Sequence, residues 1–250
     1  TAPSQPFPQA EGLHRLMDGE KRIALDPRLS MIAEMVGRCS SYADVGCDHG
    51  YCAEYMLENG LCERAILSDI SAGSLDKAKR LLSGYIASGR AEAVLGDGFF
   101  GVPESIDEVL IAGMGGSEIV GILSDETFGF LPRTFVFQPM HDAEKLRRYL
   151  VSAGACLERD FTFRCGRKFY DVIRGRRLRE GEPTQSYTDS EYEFGRENLF
   201  KRPKDFLERT EKQLKNVEKY LSEERLQEGS RRALEARLRR LKGVLNDEID

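Results

Sequence analysis

Four short apolar runs within the first 115 residues each stop on a glycine or an acidic side chain, and this constrains the fold more than any other feature. Residues 42–45 end at Gly46, 64–68 at Asp69, 91–95 at Gly96-Asp97-Gly98, and 108–112 at Gly113. Helical spacing lies around them: Leu29, Ile32, Ala33 and Val36 before the first run, 51–58 after it, 74–86 after the second and 117–123 after the fourth. A fifth run at 134–138, a helix at 142–153 with a basic exposed face, and two closing runs at 156–165 and 168–174 complete the pattern. Strands separated by helices imply crossover units and a parallel sheet covered on both faces. Such sheets bind ligands at the carboxyl ends of their strands, where Asp48, Asp69, Asp97 and Gly113 fall.

The later sequence changes character. Residues 179–195 are polar and read as a linker. Beyond it Leu207, Thr210, Leu214, Val217 and Leu221 repeat at spacings of 3 and 4, and Leu234, Leu238, Leu241 and Leu245 resume the pattern. Two such helices joined at Glu228-Gly229-Ser230 predict an antiparallel coiled-coil hairpin over 196–250. Net charge is −5 overall, yet residues 201–242 carry 14 Lys and Arg against 8 Asp and Glu, a local +6. That segregation points to an element with its own anionic partner.

Other features set bounds. No run approaches the roughly 20 apolar residues of a membrane span, so no membrane partner is expected. Six cysteines form no C-x-x-C pair and have no His-rich companion, which argues for reduced thiols in a cytoplasmic protein without a metal. Residues 1–20 lack the basic and apolar regions of a signal peptide and read as a flexible arm, leaving 21–178 for the sheet domain.

Within the first loop, Asp44-x-Gly46 closes a strand and Gly50 precedes a helix. A dinucleotide fingerprint requires G-x-G-x-x-G, whereas Cys47-Asp48-His49 separates the two glycines here. The D-x-G strand end is more typical of methyltransferases. Asp69, 23 residues past Gly46, stands where an acidic group accepts ribose hydroxyls, and Asp97 where one accepts an adenine amino group.

In order, the chain carries Leu25-Asp26-Pro27-Arg28-Leu29, Asp44-Val45-Gly46-Cys47-Asp48-His49-Gly50-Tyr51, Gly96-Asp97-Gly98, Ile111-Ala112-Gly113-Met114-Gly115-Gly116, Gln138-Pro139 and Lys168-Phe169-Tyr170-Asp171-Val172-Ile173. These words resemble the bacterial tRNA (adenine(22)-N1)-methyltransferases. They depart from them at Gly50-Tyr51-Cys52, where the family has Ala-Tyr-Leu, and at Met140, where it has Asn. The resemblance implies a Rossmann-like class I methyltransferase sheet of seven strands, the last forming an antiparallel hairpin, followed by the helical coiled coil. It implies S-adenosyl-L-methionine as cofactor and tRNA as partner; a monomer or weak homodimer is expected, and the alternatives are a methyltransferase for rRNA, protein or a small molecule, or a non-catalytic RNA-binding protein of the same fold.

On this reading Arg28, Asp44, Gly46, Cys47, His49, Asp69, Ile70, Gly96, Asp97, Gly98, Gly113, Met114 and Gly115 hold the cofactor. Asp48 is the expected catalytic residue, accepting from the adenine amine and stabilising charge that develops on the ring. Gly116, Tyr51 and Gln138 are expected to meet the base, with Glu118 a secondary candidate. Arg147, Arg148, Arg167, Lys168, Arg231 and Arg232 are expected to meet the phosphates.

Overall fold

The computed structural model describes residues 25–223 and 226–248. The arm expected at 1–20 and the first four residues of the expected sheet domain lie outside them. Ten helices and seven strands are described: α1 (Pro27–Met35), β1 (Cys39–Val45), α2 (Tyr51–Glu58), β2 (Cys62–Asp69), α3 (Ala72–Leu81), α4 (Ser83–Ala87), β3 (Ala91–Leu95), β4 (Glu108–Met114), α5 (Gly116–Leu123), β5 (Thr134–Pro139), α6 (Ala143–Ser152), β6 (Ala155–Cys165), β7 (Lys168–Arg177), α7 (Asp189–Phe194), α8 (Arg196–Lys201), α9 (Lys204–Leu221) and α10 (Glu228–Asn246).

The strands form one sheet in the order β3-β2-β1-β4-β5-β7-β6. β1 to β5 are parallel, β7 alone runs against them, and the edge strand β6, antiparallel to β7, again runs with the first five. Strand alternation splits the core in two. Tyr42, Leu67, Leu110, Val136 and Val172 pack against α1, α2 and α3. Ala43, Val45, Val109, Ile111, Phe135 and Phe137 pack against α5 and α6. The order reverses at β1, so β1 and β4 diverge into a crevice at their carboxyl ends. A bulge at Ala112–Met114 shifts the β4–β5 register at the crevice rim.

Edge strand β6 is closed by side chains rather than by another strand. The Leu157 N–H donates to Gln185 Oε1, Asp160 to Glu197, Thr162 to Asn198 and Arg164 to Asp205, all at 2.8 or 2.9 Å. Exposed strand edges recruit other strands, and this capping removes that liability while fixing α8 and α9 to the sheet. The segment expected as a linker is equally tied down. It holds α7, capped by Thr188 and Glu191, and its Gln185 is one of the edge caps.

α9 and α10 pack on each other around Phe206, Val217, Leu241 and Val244, joined by Phe194 of α7. The expected turn is misplaced. Glu228, Gly229 and Ser230 form the first turn of α10, so the connection between the two helices precedes them. Gln227 is the extended N-cap residue, so the glycine falls inside the helix.

Candidate active site

A cleft of about 1090 Å³ opens at the carboxyl ends of β1, β2, β3 and β4. Of the expected cofactor residues, Arg28, Gly46, Asp69, Ile70, Gly96, Asp97, Gly98, Gly113 and Met114 line it, as does Asp48. Gly46 has φ +71°, and a Cβ there would stand 2.1 Å from Met114 Cε. The left-handed angle is what favours glycine there, since the Met114 methyl is the free end of a flexible side chain.

Asp69 organises the first loop. Its carboxylate accepts from the Asp48 N–H at 2.9 Å and the Ser71 N–H at 2.8 Å. Asp48 itself is left-handed (φ +49°), which turns its carboxylate outward. There it accepts from Ser74 Oγ at 3.4 Å and lies 2.9 Å from His49 Nδ1. The His49 ring stacks on Tyr51 with centroids 5.5 Å apart. Asp48, His49 and Tyr51 form a polar and aromatic ledge beside the cleft.

Asp44 lies beneath this loop, 5% exposed. Burial pushes its carboxyl up to about 7, opposed by a hydrogen bond from the Ala53 backbone and reinforced by Asp69. Cys47 is buried next to it, and burial with the nearby Asp44 charge holds its thiol protonated. Neither lines the cleft; they support its floor.

Charge and apolarity divide the walls. Asp48, Asp69, Asp97, Glu118 and Asp125 are set against one cation, Arg28. Ile70, Leu95, Phe100 and Phe128 also line it, and they are half of the large apolar side chains exposed among the described residues. Phe100 and Phe128 meet edge to face at 5.2 Å. The sequence reading missed Ser68, Leu95, Phe100, Ile122, Asp125, Thr127 and Phe128. Two adjacent phenylalanines following a glycine turn, Phe99-Phe100, were the available signal.

Several expected contacts are corrected. Arg147 is buried: its Nε donates to both oxygens of Asp160 at 2.9 Å, and its Nη1 to the Tyr192 and Glu193 carbonyls. It cannot reach a phosphate. Gln138 is fully buried and does not line the cleft: its Nε2 donates to the Pro139 carbonyl and its Oε1 accepts from Arg28. Packing alone already requires Gly116, since a Cβ there would stand 2.2 Å from the Asp142 carbonyl oxygen; one on Gly115 would meet the exposed His141 ring.

Among the remaining cations, Arg148 is half-exposed but paired with Glu144 and Asp189. Arg231 is half-buried and donates to the Leu221 carbonyl, and Arg232 pairs with Glu228. Arg167 and Lys168 stand exposed at the β6–β7 turn. The antiparallel pairing of Phe137 with Ile173 places that turn at the cleft end of the sheet. No group of three or more potential metal ligands occurs among the described residues, and none of their helices is long and apolar enough to cross a membrane.

Residues 25–173 match the family model of a methyltransferase domain. A tRNA (adenine(22)-N(1))-methyltransferase of Bacillus subtilis is 28% identical over 155 residues, 60% of this chain and 64% of that one. A Mycoplasma pneumoniae relative, whose name places it among tRNA methyltransferases, is 36% identical over 128 residues, 49% of this chain and 58% of that one. The chain thus spans about three fifths of the length of these curated relatives. Among solved structures, a Streptococcus agalactiae protein of the NADB-Rossmann superfamily superposes with a TM-score of 0.79 at 25% identity, over 89% of this chain and 98% of that one. A Bacillus subtilis tRNA methyltransferase superposes at 0.78 and 23% identity, over 89% and 99%, a likeness of fold.

Proposed function

This chain belongs to the methyltransferase domain family, and on that premise we propose that it methylates N1 of an adenine in tRNA, at position 22 of the D-arm, using S-adenosylmethionine. The observation that carries the reading is the balance of the cleft: five carboxylates against one guanidinium, beside an apolar wall. A dinucleotide would bring a pyrophosphate into that field. A sulfonium carrying an ammonium and an adenosine suits it.

The residues present fit that cofactor. Asp69 stands where ribose hydroxyls are accepted, and Ile70, Leu95 and Phe100 offer faces to an adenine. Gly46 lets the backbone approach closely, and Arg28 supplies the one positive counterpart to a carboxylate. The bound cofactor supplies an electrophilic methyl group on sulfur.

Asp48 performs the work assigned to the protein. An adenine alkylated at N1 becomes a cation that keeps both protons of its amine until solvent removes one, so no strong base is required. A carboxylate fixed at the cleft mouth stabilises that developing charge without reorganising. His49 holds the carboxylate in place, and Tyr51 gives the ledge a surface on which a base can stack. Arg167 and Lys168, with the basic hairpin, supply the charge an RNA requires.

The test is incubation with methyl-labelled S-adenosylmethionine and unmodified bacterial tRNA, followed by nuclease digestion. Label in 1-methyladenosine is expected. Label in another nucleoside, or none despite bound S-adenosylhomocysteine, overturns the substrate assignment.

A further inference from the structure

Gln138 and Arg28 are 110 positions apart and joined by one hydrogen bond, from Arg28 Nη1 to Gln138 Oε1 at 2.7 Å. Gln138 is wholly buried and cannot touch a ligand. Its amide has one orientation: Nε2 donates to the Pro139 carbonyl at 3.0 Å and faces Met140 Sδ at 3.6 Å, leaving Oε1 for the arginine. Arg28 is the one cation lining the acidic cleft. Among the described residues it has no carboxylate within ion-pair distance.

Two further constraints aim the guanidinium. It lies over the Tyr170 ring, 5.9 Å from the centroid. Asp26 accepts the Arg28 and Leu29 N–H groups and pins the start of α1. A planar fork held this way, with N–H groups to spare, matches a carboxylate.

We infer that Gln138 is a positioning residue that holds Arg28 in the cleft, where the guanidinium takes the carboxylate at the amino-acid end of the cofactor. This rests on the S-adenosylmethionine reading above. A neutral partner matters. An amide oxygen orients the guanidinium and leaves its charge available, whereas a carboxylate at 138 would neutralise it.

Calorimetric titration with two probes tests this. S-adenosylhomocysteine carries the carboxylate; 5′-methylthioadenosine has the same nucleoside without the amino acid. Gln138→Met is expected to weaken S-adenosylhomocysteine about tenfold and 5′-methylthioadenosine less than about twofold. Gln138→Glu keeps a partner for Arg28 and is expected to weaken S-adenosylhomocysteine at least as much. In an Arg28→Ala background, Gln138→Met should add no further loss.

Equal weakening of both probes would make Gln138 a packing residue and overturn the inference. So would unchanged affinity in either Gln138 variant, or full S-adenosylhomocysteine affinity in Arg28→Ala. If the unaltered protein binds neither probe, the cofactor reading itself fails.

Discussion

Replacing Arg147 by methionine separates the two roles an arginine on α6 can have. The guanidinium and Asp160 are 1% and 2% exposed, and the pair makes two 2.9 Å bonds. Arg147→Met keeps the aliphatic volume and strands the carboxylate in the interior. It also strips donors from the Tyr192 and Glu193 carbonyls. Removing one member of a buried pair costs about 3–5 kcal/mol. At roughly 2–4 °C per kcal/mol for a chain of this size, the melting temperature should fall by about 6–20 °C. The stranded Asp160 can escape part of that cost by taking up a proton. Its raised folded pKa makes stability fall as pH rises, so the deficit should be larger at pH 8 than at pH 5. Differential scanning calorimetry at both pH values measures this, with tRNA affinity determined below the transition. A melting temperature within about 2 °C of the unaltered protein, together with weaker tRNA binding, would refute the reasoning and return Arg147 to the surface.

Gly46→Ala should weaken S-adenosylhomocysteine binding by calorimetry while the chain still folds, because the left-handed turn at φ +71° strains an alanine. Asp48→Asn tolerates the left-handed backbone. It should leave S-adenosylhomocysteine affinity within about tenfold, roughly 1.4 kcal/mol, while kcat falls far more; a larger affinity loss would make Asp48 a binding residue. Asp44, raised from 3.8 to about 7, binds a proton in the folded chain that the unfolded chain has released between those values. Its contribution to stability is therefore lost as pH rises from about 4 to 7, and a cationic ligand should drive the proton off. Titration in buffers of different ionisation enthalpy near pH 7 should show proton release; no buffer dependence would contradict it.

The five parallel strands were legible because each is a short run ended by residues that cannot continue it. Asp69 and Asp97 were legible because ligand sites on such sheets follow the strand ends. Arg147 was misread for a physical reason. In a helical repeat a charged side chain reads as solvent-facing, and only the fold brings Asp160 from β6 beneath it. Gly115 and Gly116 carried no sign of what crowds them, since His141 and Asp142 arrive from the other side of the β4–β5 bulge. Gln138 was found as a word but not as a role. Its burial and its bond to Arg28 depend on α1 docking against β5, a long-range contact that periodicity does not encode.

The central claim is adenine N1 methylation at one place in tRNA. Two transcripts test it most directly, one with adenine at position 22 and one with guanine there, each incubated with S-adenosylmethionine and analysed by mass spectrometry of the digested nucleosides. The account predicts close to one 1-methyladenosine per adenine-22 transcript and none in its counterpart. Equal methylation of both, or a methylated product other than 1-methyladenosine, would contradict it.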